Sequence, residues 1–367
     1  MDTRELFRIL VKEKGSDLII KANGWPAMRI QGKIKFVSES KVPDAFAQTM
    51  AEEVVPDKLK PRFERDGEVD CSYEVAGVGR FRANVFRQQG RLCLVFRHIN
   101  EVVPTMKDLN LPGKQLEQLC ALQRGLVLVT GTTGAGKSTT IATMINHVNH
   151  HFARHIITVE DPIEYVFVDR KSVVNQREIG FDTNDYATAL RHVVRQTPDL
   201  LVVGEMRDQE TVAAALNAAE TGHLVMSTLH TINAIQTVER ILGFFPPHQH
   251  EEVRMQLSQV LEGVVSQRLL PRKNDGSRVP AVEIMLATPT IRDLLCEGKT
   301  LELHKAIYEG RHYYGTQTFH QSISQLYKDG LITYEDALGA ADNPDELKLE
   351  LRGISKGAAT VDMDFKI

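Results

Sequence analysis

The chain has 367 residues, of which 42% are hydrophobic and 25% charged, and its formal net charge is −4. That length suggests two or three domains with ample core, and the acidic balance gives no sign of nucleic acid binding. The four cysteines (Cys71, Cys93, Cys120, Cys296) include no C-x-x-C pair, which argues against a zinc knuckle and fits a reducing cytoplasm. No apolar h-region follows Met1, and no window approaches 18 consecutive apolar residues, so neither a secretory signal nor a membrane span is expected.

Residues 1–100 read as a small α+β domain. A helix over 3–14 would bury Leu6, Ile9, Leu10 and Val11. Strands follow over 17–20, 27–30 and 33–37, then a helix over 44–54, then a meander over 69–75, 79–88 and 92–99. Arg80 and Arg82 fall on one strand face, with Arg97 on the next strand. Their plain reading is a solvated face; the functional one is arginine fingers reaching a neighbouring subunit's γ-phosphate. The proline-bounded stretch 101–113 reads as a linker.

From 114 to 288 strands and helices alternate, as in an α/β core. Strands are expected over 126–130, 155–160, 200–204, 224–228 and 279–285, and helices over 184–195, 209–221 and 232–242. Residues 289–353 read as short helices, and 354–367 as a loose tail.

The central motif is Gly131-Thr132-Thr133-Gly134-Ala135-Gly136-Lys137-Ser138-Thr139, which fits G-x-x-x-x-G-K-[ST] between an apolar strand and a helix. That context gathers backbone N–H groups and a helix N-terminus around an anion. Residues 133–139 are therefore assigned to nucleotide binding. Lys137 serves the β- and γ-phosphates, and the Ser138 hydroxyl serves Mg²⁺.

Two acidic stretches suggest what becomes of the triphosphate. Ile156-Ile-Thr-Val-Glu160-Asp161-Pro162-Ile163-Glu164 is an apolar run ending in three carboxylates, expected on a strand beside the P-loop strand and facing the crevice. Leu200-Leu-Val-Val-Gly204-Glu205 has the Walker B form, with Glu in the usual Asp place. Hydrolysis needs one acid for the metal and one for the attacking water. Glu205 is assigned to the metal–water side and Glu164 to water activation, although the two roles are interchangeable on sequence grounds. His223 and His230 straddle the next strand, and His230 sits where a γ-phosphate sensor belongs. His147, His150, His151 and His155 crowd the end of the P-loop helix, where cations at a helix C-terminus are a simpler reading than a metal site.

Together GTTGAGKST, VEDPIEY, LLVVGEMRD, AAETGHLVMSTLHT and GVVSQRLLP resemble the secretion-type traffic ATPases, and within them the type IV pilus retraction ATPases (PilT/PilU-like), over roughly residues 3–353. The resemblance implies a RecA-like ATPase core with C-terminal helices, preceded by a PAS-like N-terminal domain. It implies a homohexamer using ATP and Mg²⁺ for pilus retraction and twitching motility. The location it implies is cytoplasmic and peripheral, against an inner-membrane platform protein, with no nucleic acid partner. It makes Glu160, Asp161 and Glu164 an acidic box and His223 and His230 a histidine box, with Arg80, Arg82 and Arg97 engaging nucleotide in trans. The segment Thr290-Ile291-Arg292-Asp293-Leu294-Leu295-Cys296-Glu297-Gly298-Lys299 matches a retraction motif, in which Ile291, Arg292 and Leu294 would couple the ring to the pilus. Thr290, Asp293 and Cys296 depart from that motif. An accessory paralogue that modulates a main motor is the alternative, a paralogous pilus ATPase then being a partner.

Overall fold

The structure is a computed structural model that describes residues 2–30, 32–99, 102–274 and 276–351. The tail expected over 354–367 lies outside the described residues. The chain divides into two compact units. The first comprises Met1–Val103 with two later stretches, Asp161–Phe167 and Glu178–Asp182; the second holds the rest.

The first unit contains strands β1 (Gly15–Lys21), β2 (Ala27–Ile30), β3 (Lys33–Phe36), β4 (Glu68–Val75), β5 (Gly79–Gln88) and β6 (Arg91–His98), in the sheet order β3-β2-β1-β6-β5-β4. Every neighbouring pair is antiparallel. Strand side chains alternate faces. Phe81, Ala83 and Val85 of β5 therefore enter the core, while Arg80, Arg82 and Asn84 take the opposite face. The first helix, Thr3–Lys12, starts where the Asp2 side chain accepts the Arg4 N–H. Its buried residues are Leu6, Phe7 and Leu10. Phe7 packs 4.5 Å from Phe81 and 4.9 Å from Phe96, ring centroid to centroid. The expected apolar face omitted Phe7 and took in Ile9 and Val11, which are only partly buried.

The second unit is built on strands β7 (Gly125–Thr130), β8 (His155–Glu160), β9 (Val173–Glu178), β10 (Leu200–Val203), β11 (Leu224–Leu229), β12 (Leu261–Pro271) and β13 (Arg278–Leu286). The sheet order is β13-β12-β7-β11-β10-β8-β9. Strands β12, β7, β11, β10 and β8 run parallel, and β13 is antiparallel to β12. All residues of β7, β10 and β11 are buried, as parallel strands covered on both faces must be. The helices Tyr186–Val193, Gln209–Glu220 and Ala234–Leu242 begin at side-chain caps, where Asp185, Asp208 and Asn233 each accept a first-turn N–H. The C-terminal helices Phe319–Lys328, Tyr334–Ala340 and Pro344–Leu351 share a core with Leu270 of β12 and Val279 and Ala281 of β13.

This order corrects one expectation. Strand β8 does not lie beside the P-loop strand β7, because β11 and β10 stand between them. Sequence neighbours in an α/β sheet need not be spatial neighbours once a later crossover inserts strands between them. Among the described residues, no helix is long and apolar enough to cross a membrane.

Candidate active site

The loop after β7 is shaped by its glycines. At Gly131 φ is +150°, and a Cβ there would meet the Gln267 carbonyl oxygen at 2.6 Å and Ala135 Cβ at 2.8 Å. Gly136 (φ +89°) caps the helix Lys137–His151 without any side-chain hydrogen bond. A glycine at the cap brings the helix start close to the loop backbone, and the positive end of the helix dipole there favours a phosphate. Lys137 is buried, and its Nζ donates to the carbonyls of Gly131 (2.9 Å) and Thr132 (3.1 Å), curling over the loop. The Lys137 ammonium is thus held over the backbone of the loop at the start of the helix.

Two strand ends converge on that cation. Ser227 Oγ donates to the Val203 carbonyl and Thr228 Oγ1 to the Gly204 carbonyl, each at 2.7 Å, which locks the ends of β11 and β10 together. His230 follows β11 and Glu205 follows β10. His230 Nδ1 is 3.5 Å from Lys137 Nζ, and His230 Nε2 is 3.2 Å from Glu205 Oε1. The other carboxylate oxygen of Glu205 is 2.8 Å from Arg207 Nη2. Burial works to raise the Glu205 pKa, but the hydrogen bond from Arg207 and the nearby His230 outweigh it and hold the carboxyl below its usual range. Glu205 is therefore ionised at neutral pH, and a carboxylate and a hydroxyl such as that of Ser138 are the oxygen donors a hard divalent cation takes. Arg207 was not singled out from sequence, although it lies two residues past the Walker B acid.

The structure separates the paired histidines. His223 precedes β11, at the opposite end from His230; its carbonyl accepts the Gly125 N–H and its Nδ1 lies 3.0 Å from the Ala218 carbonyl. Only His230 reaches the loop. The acidic box is also divided. Glu160 ends β8 in the second unit and accepts hydrogen bonds from Thr158 Oγ1 (2.6 Å) and Gln176 Nε2 (3.1 Å). Asp161 and Glu164 belong to the stretch grouped with the first unit, where the Ile163 N–H donates to Glu178. A crevice position for these carboxylates beside β7 is not what the strand order gives.

The three arginines of the first unit are not equivalent. Arg80 Nη2 lies 3.5 Å from the buried Glu178, which also accepts from Ser72 Oγ at 2.9 and 2.7 Å. Arg82 and Arg97 face each other in register across β5 and β6. Like charges opposed in this way repel, and the structure answers with Asp70 at 3.5 Å from Arg82 and Asp17 at 3.0 Å from Arg97. These four residues, with Asn84 and Val95, line a cleft of about 330 Å³. The arginines' side chains are 44% and 69% exposed, against 25% for Arg80.

The C-terminal motif forms the helix Pro289–Glu297, capped by Thr288. Arg292 donates to the Ser258 and Gln259 carbonyls (2.8 and 3.0 Å) and to Glu262 Oε1 (2.8 Å). It thereby staples this helix to the C-terminal turn of the helix His250–Val260, where a cation is favoured. Ile291 and Leu295 are buried, whereas Leu294 is half-buried. His147 and His151 stack at 4.2 Å, and among the described residues no group of three or more His, Cys, Asp or Glu is placed to hold a metal.

A phosphate-cradling loop at the C-terminal edge of a parallel sheet, flanked by an ionised acid and a histidine, defines a P-loop nucleotide-binding core of the RecA-like kind. The family described as "Type II/IV secretion system protein" matches residues 62–336, and the chain belongs to it. It is 42% identical over 345 residues to the type IV pilus retraction ATPase PilT of Pseudomonas aeruginosa, covering 94% of this chain and 99% of that protein. It is 39% identical over 352 residues to the type IV pilus ATPase PilU of the same organism, covering 96% and 92% respectively. The crystal structure of the pilus retraction motor PilT with bound ADP superposes with a TM-score of 0.88 at 47% identity, covering 95% of this chain and 99% of that one.

Proposed function

We propose that this protein is a motor ATPase of the type IV pilus system, hydrolysing ATP to drive pilus retraction. The observation that carries the reading is the contact series Lys137–His230–Glu205–Arg207 at the mouth of the phosphate-binding loop. Lys137 orients the β- and γ-phosphates and Glu205 orients the attacking water. His230, touching both, registers the γ-phosphate. Mg²⁺ would be held by Ser138 and Glu205 and would neutralise charge developing on the phosphoryl oxygens. The working form is a homohexamer on the cytoplasmic side of the inner membrane, docked on the platform protein of the pilus machine. In it, Glu164 serves as the second acid of a site completed by Arg82 and Arg97 of the adjacent subunit. The domain scheme that goes with it is an N-terminal domain over 1–100, a linker over 101–113, an ATPase core over 114–288 and a helical region over 289–353.

A second reading is an accessory paralogue that tunes a main retraction motor, supported by the 39% identity to PilU over nearly the whole chain. Steady-state ATP hydrolysis by the purified protein, with and without DNA, tests the enzymatic core: turnover indifferent to DNA is expected. Twitching of a strain lacking its principal retraction ATPase, complemented with this chain, separates the two readings. Restored twitching is expected of a main motor, and none of an accessory subunit.

A further inference from the structure

Behind the phosphate-binding loop lies a buried polar path that the active-site residues do not account for. Glu283 sits in the middle of β13, in the apolar run Val279-Pro-Ala-Val-Glu283-Ile-Met-Leu286, and is 4% exposed. A carboxyl group in such a place is costly unless each oxygen finds a donor. One oxygen accepts the backbone N–H of Ala234 at 2.8 Å. Ala234 opens the helix Ala234–Leu242, four residues after His230. Across the sheet, Glu283 stands in register with Ser266 of β12, whose side chain hydrogen-bonds to it. The same Ser266 Oγ accepts from Thr130 Oγ1 at 3.0 Å, and Thr130 is the last residue of β7, immediately before Gly131. Thr130 and Ser266 are both fully buried.

The segment between His230 and Ala234 has little freedom of its own. Thr231 Oγ1 and Thr237 Oγ1 lie 2.7 Å apart, and Thr237 Oγ1 donates to the Asn233 carbonyl at 2.7 Å. The short loop is thus clamped to the first turn of its helix, and Glu283 fixes that turn to the strand that launches the P-loop. Arg268 of β12 faces Glu283 as a counter-charge while holding Asp342 at 2.8 Å and the Ala340 carbonyl at 3.0 Å. Glu283 therefore lies where the loop bearing His230, the P-loop strand and the C-terminal helices meet.

We propose that Glu283 is a positioning residue for ATP hydrolysis, holding His230 at its distance from Lys137 and Glu205 through the Ala234 N–H on one side and Ser266–Thr130 on the other. The inference rests on the role given to His230 above. Glu283 touches neither nucleotide nor water; it acts by keeping two pieces of the site in register. Burial, opposed by the Ala234 N–H and Arg268, pushes its carboxyl up to about 7, so what the site uses is its capacity to accept the Ala234 hydrogen bond in either protonation state.

Two substitutions separate that capacity from charge and from bulk. Glu283→Met fills similar space with no acceptor, whereas Glu283→Gln keeps one. ATP turnover and melting temperature are measured on full-length Glu283→Met, Glu283→Gln, Ser266→Ala, His230→Ala and the Glu283→Met/His230→Ala double variant. Glu283→Met should lower kcat about tenfold or more with little change in KM, the pattern of a lost transition-state arrangement. Glu283→Gln should recover most of that loss. Ser266→Ala, which removes one hydroxyl and leaves the strand pairing intact, should lower kcat in the same selective way even if Glu283→Met does not fold. In the His230→Ala background Glu283→Met should cost little more, because both changes disable one function. If His230→Ala slows turnover while Ser266→Ala and folded Glu283→Met do not, the inference is overturned and the role of His230 stands. Full additivity in the double variant overturns it as well. If His230→Ala leaves kcat untouched, the proposed role of His230 falls and the inference falls with it.

Discussion

Each charged side chain at this site does a job that its immediate neighbours permit. Lys137 is the cation inside the loop, held by two carbonyls that fix its position without neutralising it. Lys137→Ala should therefore abolish ATP hydrolysis and weaken nucleotide binding together, read by turnover and by a fluorescent-nucleotide titration. Glu205 is different, since Arg207 and His230 hold it ionised at the mouth of the site. Glu205→Gln keeps the shape and loses the charge, so ATP should still bind while kcat falls about 10²-fold or more. A collapse of ATP affinity with normal turnover per bound ATP would make Glu205 a binding residue instead. Glu283 gives a pH signature in stability. Its pKa is raised from 4.5 to about 7 in the folded protein, chiefly by burial. A raised folded pKa means the native state holds the proton more tightly than the unfolded chain does. The associated stability is full below about pH 4.5 and is lost as pH rises through 7, a total of about 3 kcal/mol. Between pH 5 and pH 8 the melting temperature of wild type should therefore drop further than that of Glu283→Gln, with Arg268 and Asp342 present in both. Parallel pH curves for the two proteins would remove Glu283 from the titration.

Elements differ in how openly the sequence announces them. The apolar runs of β7, β10 and β11 are short and bounded by glycine, aspartate or histidine, so burial, parallel pairing and P-loop position could all be read directly. Strand β12 could not. The helix His250–Val260 passes into β12 at Leu261 with no Gly or Pro between them, and the run Leu257–Leu270 carries apolar residues that fit either period. The sheet order was equally hidden, because nothing local in β8 records that β10 and β11 will come between it and β7. Nor does a motif reveal that Arg80 meets Glu178, 98 residues away. Glu283 did leave a signal, a lone acid inside an unbroken apolar strand. The helix Pro289–Glu297 shows what side-chain direction adds to a pattern. Its apolar stripe is Ile291, Leu294 and Leu295, but only the first and last are buried. Leu295→Ala should cost about 2–5 kcal/mol and lower melting temperature and ATPase together. Leu294→Ala removes only partly buried surface and should cost about 1 kcal/mol. If Leu294 couples the ring to the pilus, its alanine variant should remain folded, hydrolyse ATP at near the wild-type rate and fail to support twitching. Loss of melting temperature, ATPase and twitching together would return Leu294 to the core.

At the scale of the whole molecule, the arginine-bearing sheet and the P-loop core belong to different units of one chain. In the proposed ring, the arginines of one subunit complete the site of the next. The geometry within the first unit says which arginines are available. Arg80 is committed to Glu178, whereas Arg82 and Arg97 stand exposed on a shared cleft. Their ion-pair partners among the described residues are the half-exposed Asp70 and the buried Asp17, which Arg29 also contacts at 3.3 Å. Arg82→Ala should thus be a defect that a neighbour can repair. Arg82→Ala subunits and Glu205→Gln subunits, each nearly inactive alone, are co-assembled at varying ratios and assayed for ATP turnover. An interface works when its acid comes from the first kind of subunit and its arginine from the second. With random mixing at equal amounts, about one quarter of interfaces meet that condition, so activity should rise to a maximum near that ratio. Activity that never exceeds the sum of the two parents would show that Arg82 serves its own subunit's site or that every site in the ring must be intact at once. The second case is recognised separately, because wild-type rings doped with Glu205→Gln would then lose activity far more steeply than in proportion to the dose. A proportional loss in that control, together with no recovery in the mixture, rules out action of Arg82 across the subunit boundary.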